Sequence, residues 1–136
     1  MRRGTLTLFV SAGLALSGAS PALAAKWTGK ATNLAGNFNY GKVTFTTSGS
    51  TMKNLVIEGV TTSGCGGYKS VIVPKLKIRG GKFTGSYVPV PGKNDVIRVT
   101  GTISGSTAKG RFSEGPLDIA KPPLCQNKGK FMASRG

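Results

Sequence analysis

The chain has 136 residues, two cysteines, no histidine and a formal net charge of +15, from 19 basic and four acidic residues. This length suits one domain. The lack of histidine excludes the commonest general base, and four carboxylates leave little for acid–base or calcium chemistry. We therefore expect a protein that is not an enzyme and that holds neither a cofactor nor a metal ion.

Residues 1–24 have the three-part order of a secretory signal peptide. Arg2 and Arg3 are followed by the apolar run Leu6–Leu16, and Ala22-Leu23-Ala24 fits an A-x-A cleavage site. The apolar run is shorter than the roughly 18 residues that a membrane anchor needs. We therefore predict a secreted protein, in the extracellular or cell-envelope space, with no transmembrane segment in its mature part. Residues 25–136 then carry 17 basic and four acidic residues, a net charge of +13.

The two cysteines, Cys65 and Cys125, lie in the predicted mature part. An exported chain meets an oxidising environment, so an even pair predicts a disulfide. The bond would close a loop of about 60 residues, which the chain-entropy model values at roughly 4 kcal/mol. The alternative, a pair of metal-binding thiols, is disfavoured because the chain has no histidine and no C-x-x-C spacing.

Alternating apolar and polar residues, separated by turns rich in Gly, Ser and Pro, predict short strands. Residues 25–37 are polar and either lead into the first strand or stay loose. The predicted strands are residues 42–46, 52–60, 71–73, 75–79, 82–90, 96–103, 107–113 and 128–134, with Pro74 ending the third. The predicted fold class is all-β: an antiparallel β-sandwich or a small β-barrel of about eight short strands in one domain, in which neighbouring strands are mostly hairpin partners.

Three segments carry a resemblance to a known kind of domain. They are Gly81-Lys82-Phe83-Thr84-Gly85, then residues 99–110, and then Cys125 with Gly129-Lys130-Phe131-Met132-Ala133-Ser134-Arg135. Over roughly residues 40–135 the chain resembles small secreted β-sandwich domains of bacteria, largely uncharacterised, with one disulfide and strands rich in Gly, Thr and Ser. The resemblance implies a β-sandwich with a disulfide that anchors a loop, and it implies no activity.

Basic residues recur on the polar side of the predicted strands. Strand alternation projects seven of them away from the core: Lys75, Lys77, Arg79, Lys82, Arg98, Lys109 and Arg111. On one sheet they would form a positive surface able to gather polyanions. The partners expected are anionic polysaccharides, wall polymers or other extracellular polyanions, and no specific nucleic acid, because base-stacking aromatics are missing from these strands. The alternative is that these residues are ordinary solvated side chains.

A second hypothesis is a small secreted hydrolase inhibitor, or a minor enzyme, that uses loops on a rigid β scaffold. The loops Pro89–Asp95 and Glu114–Cys125 are the candidates for inhibition. An enzyme would need a carboxylate in a cleft, and Glu114 and Asp118 are close in sequence. We expect these two acids instead to pair with a nearby basic residue or to cap a turn.

Overall fold

The computed structural model describes residues 24–62, 67–121 and 126–136. Residues 1–23 of the predicted signal peptide lie outside this part of the chain, and so do Cys65 and Cys125. Signal cleavage and the disulfide therefore stay predictions. No helix among the described residues is long and apolar enough to cross a membrane.

The described residues form eight β-strands. They are β1 (Ala25–Thr32), β2 (Asn39–Ser48), β3 (Thr51–Thr61), β4 (Tyr68–Arg79), β5 (Lys82–Tyr87), β6 (Val96–Ser104), β7 (Thr107–Gly115) and β8 (Asn127–Arg135). Each strand pairs antiparallel with the next, and β1 pairs with β8 to close a barrel. The prediction of an all-β antiparallel fold is confirmed, and of its two forms the chain adopts the barrel.

Two differences from the predicted strands change the order of elements. Residues 25–32, which could have been loose, form β1, because Trp27 is buried and its ring stacks on Phe45 with the centroids 5.5 Å apart. The strands predicted at 71–73 and 75–79 are one strand, β4, and the prediction that Pro74 separates them is wrong.

The pairing of β4 explains why Pro74 is tolerated. A proline lacks the amide hydrogen that a ladder needs, so it is confined to strand edges and irregularities. β4 pairs with β5 at only two positions, Ile78 opposite Phe83 and Arg79 opposite Lys82. Pro74 therefore lies on a stretch of β4 that is an edge toward β5.

Side chains fill the interior of the barrel, as expected for eight strands. Phe83 lies opposite Gly101 and Phe131 lies opposite Gly110. A Cβ at either glycine would overlap the facing phenylalanine ring. The two rings also stack on each other, with their centroids 6.3 Å apart. Because the interior is packed, the surfaces available for binding are the outer face and the two ends.

The two ends of the barrel differ in their connections. One end has three two-residue turns, Gly49-Ser50, Gly80-Gly81 and Gly105-Ser106. The first glycine of each has a positive φ, which such tight hairpins require. The other end, called here the long-loop end, has the four longer connections, residues 33–38, 62–67, 88–95 and 116–126.

Candidate functional site

The strand order gathers basic side chains on the outside of four neighbouring strands, β6, β7, β8 and β1. We call this surface the basic face. It is defined by the six exposed residues that line its two grooves, Lys30, Arg98, Lys109, Arg111, Lys128 and Lys130. Lys26 on β1 and Arg135 on β8 are also exposed but line neither groove. The outward positions of these four strands carry no carboxylate, since the one acid in them, Glu114, is buried.

The ladder registers fix how these side chains are spaced. Lys130 on β8 lies directly opposite Arg111 on β7, and direct cross-strand neighbours are roughly 5 Å apart at Cβ. Met132 lies between Lys30 and Lys109, because it is opposite both of them. Those two lysines are therefore two strands apart, roughly 10 Å. The result is a two-dimensional array of positive charges.

A shallow groove of about 860 Å³ runs across this array. Lys30, Lys109, Arg111 and Lys130 all line it. A second groove, of about 520 Å³, is lined by Arg98, Arg111 and Lys128 and shares Arg111 with the first. The two grooves are therefore adjacent, and each is lined by at least three basic residues.

The seven basic residues singled out in the sequence do not all meet. Lys82, Arg98, Lys109 and Arg111 share one side of the barrel, with Lys82 and Lys109 both opposite Thr102. Arg79 adjoins Lys82 at the end of the barrel that has the two-residue turns. Lys75 and Lys77 lie further round the barrel, opposite Lys53 and Thr51 on β3.

A second cluster, of buried polar groups, lies at the long-loop end. The Glu114 side chain has no exposed surface. The Lys69 ammonium donates to Glu114 Oε2 at 2.8 Å, and Asn127 Nδ2 donates to Glu114 Oε1 at 2.8 Å. Asp95 is 7% exposed and lies next to the same carboxylate, while its Oδ1 is buried with no hydrogen-bond partner among the described residues. The cluster joins β4, β7, β8 and the connection 88–95 at this end of the barrel.

The two carboxyl groups of this cluster titrate in opposite directions. Burial raises the pKa of Asp95 to about 7, and the hydrogen bond and charge of Glu114 add to the rise. Burial also opposes ionisation of Glu114, but hydrogen bonds from Asp95, Lys69 and Asn127, and the charge of Lys69, together lower the pKa of Glu114. As the pH falls, Asp95 is therefore the first of the two carboxyl groups to bind a proton.

The contacts of Glu114 indicate that this cluster stabilises the barrel. Both oxygens of Glu114 accept hydrogen bonds from other strands, and the side chain is closed to solvent. The expectation that Glu114 lies in a loop is wrong, because it is the penultimate residue of β7. Asp118 is exposed and its Oδ1 accepts a hydrogen bond from the Ala120 amide at 2.9 Å, so it caps a turn.

The two loops predicted as candidate inhibitory loops are joined by one side chain, Asn94. Its Nδ2 donates to the carbonyl oxygens of Asp118 and Lys121 at 3.0 and 3.1 Å. Its Oδ1 accepts from the Asp118 amide at 2.6 Å. The connections 88–95 and 116–121 therefore form a single braced unit.

Sequence reasoning missed half of the basic face, namely Lys30, Lys128 and Lys130. Their outward direction follows from strand alternation, but their position beside Arg111 depends on β8 pairing with both β7 and β1. The Lys69–Glu114 contact was missed because it joins residues 45 positions apart. Asn94 carried one usable signal, since asparagine after Pro-Gly commonly bonds to backbone in turns.

Comparison of the chain with protein-family models, curated proteins and solved structures finds no match. The resemblance to small secreted bacterial β-sandwich domains therefore stays a prediction. In the part of the chain that the structure describes, no group of three or more His, Cys, Asp or Glu side chains could hold a metal ion.

Proposed function

We propose that residues 25–136 are an exported, non-enzymatic domain that holds an anionic polysaccharide or wall polymer on the basic face. The observation that carries this proposal is the continuous groove lined by Lys30, Lys109, Arg111 and Lys130. Removal of residues 1–24 and export to the extracellular or cell-envelope space are part of the proposal.

The energetics of the face support a ligand. Like charges placed directly opposite each other destabilise a sheet. On the basic face, Lys130 and Arg111 are such a pair, and no outward carboxylate of β6, β7, β8 or β1 compensates them. Lys53 opposite Lys75 is another such pair, but the grooves that join several charges lie over the basic face. A bound polyanion would relieve this repulsion.

The shape of the array favours a polymer over a single small anion. Positive groups separated by roughly 5 to 10 Å across three strands can contact many anionic groups of an extended chain at once. A small anion would contact only one or two of them. Such binding is driven by release of counterions, so its affinity falls steeply with salt.

The proposal includes a disulfide between Cys65 and Cys125. Both cysteines belong to connections of the long-loop end, 62–67 and 116–126. Thr62 and Gln126, which belong to the same two connections, line one cavity of about 590 Å³. The ends of the two loops are therefore near each other, as a bond between them requires.

The test is retention on heparin and on an anionic wall polymer across a salt series. The Lys30→Ser/Lys109→Ser/Lys130→Ser variant removes three charges from the basic face. We expect it to elute at much lower salt, with the slope of log affinity against log salt reduced by roughly two to three.

The matched control is Lys53→Ser/Lys75→Ser/Lys77→Ser. It removes the same number of lysines from exposed strand positions on β3 and β4. We expect it to keep most of the wild-type retention. Equal losses in both triple variants would show that net charge alone, and not the basic face, determines binding and would overturn the proposal.

A further inference from the structure

Exposed apolar side chains are concentrated at one end of the barrel. The described part has eight large hydrophobic side chains that are exposed. Six of them belong to the long-loop end or adjoin it: Leu34, Phe38, Tyr68, Val90, Leu117 and Ile119. The other two, Ile72 and Met132, are on strands. Isolated exposed hydrophobics are normal on a protein surface, but a concentration of them marks an interaction site.

The most exposed of these side chains is held at the corner of a fixed turn. The Lys121 amide donates to the Asp118 carbonyl at 3.1 Å, which places Ile119 at a corner of the turn with 90% of its surface exposed. The Lys93 amide closes a second turn by donating to the Val90 carbonyl at 3.1 Å. Because Asn94 braces both turns, their apolar residues project from a stiff base.

The charge at this end differs from that of the barrel wall. The exposed charged residues of the described loops are Lys93, Lys121 and Asp118, and the Asp118 carboxylate is engaged in its own turn. Lysines therefore flank the apolar tips, while the wall behind them carries most of the net positive charge. This is the composition of a surface that enters the interface of an anionic membrane.

We propose that the long-loop end docks on an anionic lipid bilayer, with Val90, Leu117 and Ile119 entering the headgroup region and Lys93 and Lys121 contacting lipid phosphates. The six exposed apolar residues of this end lie in or beside all four of its connections. Such a spread footprint fits a fluid, flat surface better than the narrow cleft of an enzyme. A second copy of the chain is a poorer fit, because each copy carries a net charge of the same sign.

The experiment measures binding of the mature protein to vesicles of phosphatidylglycerol and of phosphatidylcholine by flotation. The Leu117→Ser/Ile119→Ser variant removes two apolar tips, and we expect its partitioning into phosphatidylglycerol vesicles to fall by about tenfold or more. The matched control is Ile72→Ser, which removes an exposed apolar residue of a strand outside both grooves; compared with Ile119→Ser alone, it should bind as the wild type does.

A second measurement reports insertion directly. The single natural tryptophan, Trp27, is 2% exposed and gives a constant background. Fluorescence of an Ile119→Trp variant should shift to the blue on phosphatidylglycerol vesicles and be quenched by brominated lipid, whereas an Ile72→Trp variant should show neither effect.

Three results would overturn the lipid proposal. They are wild-type partitioning of the Leu117→Ser/Ile119→Ser variant, equal binding of the wild type to both lipids, and a wild-type dimer in solution that the same variant converts to a monomer. The last result would assign the long-loop end to self-association. The Lys30→Ser/Lys109→Ser/Lys130→Ser variant keeps this test apart from the polymer proposal, because it leaves all the loop residues in place.

Discussion

Phe83 on β5 lies directly opposite Gly101 on β6, and its ring occupies the space that a side chain at Gly101 would need. The Lys109 backbone carbonyl is equally close to that space, so moving the ring alone would not relieve a clash. A side chain at Gly101 would therefore disturb both the strand backbone of the barrel wall and the packing of the core.

We expect Gly101→Ala to destabilise the barrel by about 3 kcal/mol through overpacking. Gly115→Ala on β7 is the control, because a Cβ there would meet nothing within 4 Å. Thermal unfolding followed by circular dichroism should show a fall of roughly 10 °C or more for the first variant and little change for the second. Equal melting temperatures would mean that the ring does not need this space.

Removal of Lys69 should be costly, because it leaves the Glu114 carboxylate buried without its cation. We expect Lys69→Met to lower the free energy of unfolding by about 2 kcal/mol at pH 7. Adding Glu114→Gln should recover part of this loss, because the amide needs no counter-charge. Chemical denaturation measures both, with Lys75→Met on the same strand as the exposed control. If the losses in the free energy of unfolding from Lys69→Met and Glu114→Gln simply added in the double variant, the result would contradict the ion pair.

The pH dependence of stability should reveal Asp95. Because the folded pKa of Asp95 is raised to about 7 from an ordinary value of 3.8, the folded state binds more protons than the unfolded state between these values. The Asp95 contribution to stability is therefore full below pH 4 and is lost as the pH rises to about 7, with a slope of at most about 1.4 kcal/mol per pH unit.

The contribution of Glu114 to stability changes with pH in the opposite direction to that of Asp95. Its folded pKa is lowered, so its contribution is present above the ordinary value and is lost as the pH falls through the folded pKa. The chain has no histidine to obscure the range between pH 5 and 8. Denaturant titrations across that range should show falling stability for the wild type and a flat profile for Asp95→Asn, whose amide can still donate to Glu114. A falling profile in Asp95→Asn would assign the effect to another group.

The proposed disulfide predicts a difference in mass between the protein alkylated before and after reduction. It also predicts a lower free energy of unfolding for the variant that lacks the two cysteines. Non-reduced mature protein should contain no free thiol, and Cys65→Ser/Cys125→Ser should lose roughly 4 kcal/mol in the chain-entropy model. Intact-mass measurement before and after reduction and alkylation decides the first point, and denaturant unfolding decides the second. Two alkylated cysteines in the non-reduced protein would rule the bond out.

The fold was predictable where neighbouring residues determine it. In β6 the alternation of Ile97 and Val99 with Arg98 is enough to assign a strand and its inner face, and the structure agrees. The sequence could not show that β1 closes the barrel against β8, because that pairing joins residues about 100 positions apart. The basic face depends on this closure, since it brings Lys30 beside strands that carry Lys109 and Lys130. For the same reason, the candidate site could be predicted only in part.

The narrow contact between β4 and β5 gives Lys75 and Lys77 a role that needs no ligand. Most of β4 has no ladder partner on the β5 side. An unpaired strand is a template on which another extended chain can add, and natural edges resist this with proline and lysine. That stretch contains Pro74, followed by Lys75 and Lys77. Residues of these types at this position hinder the addition of another strand to the seam of the barrel.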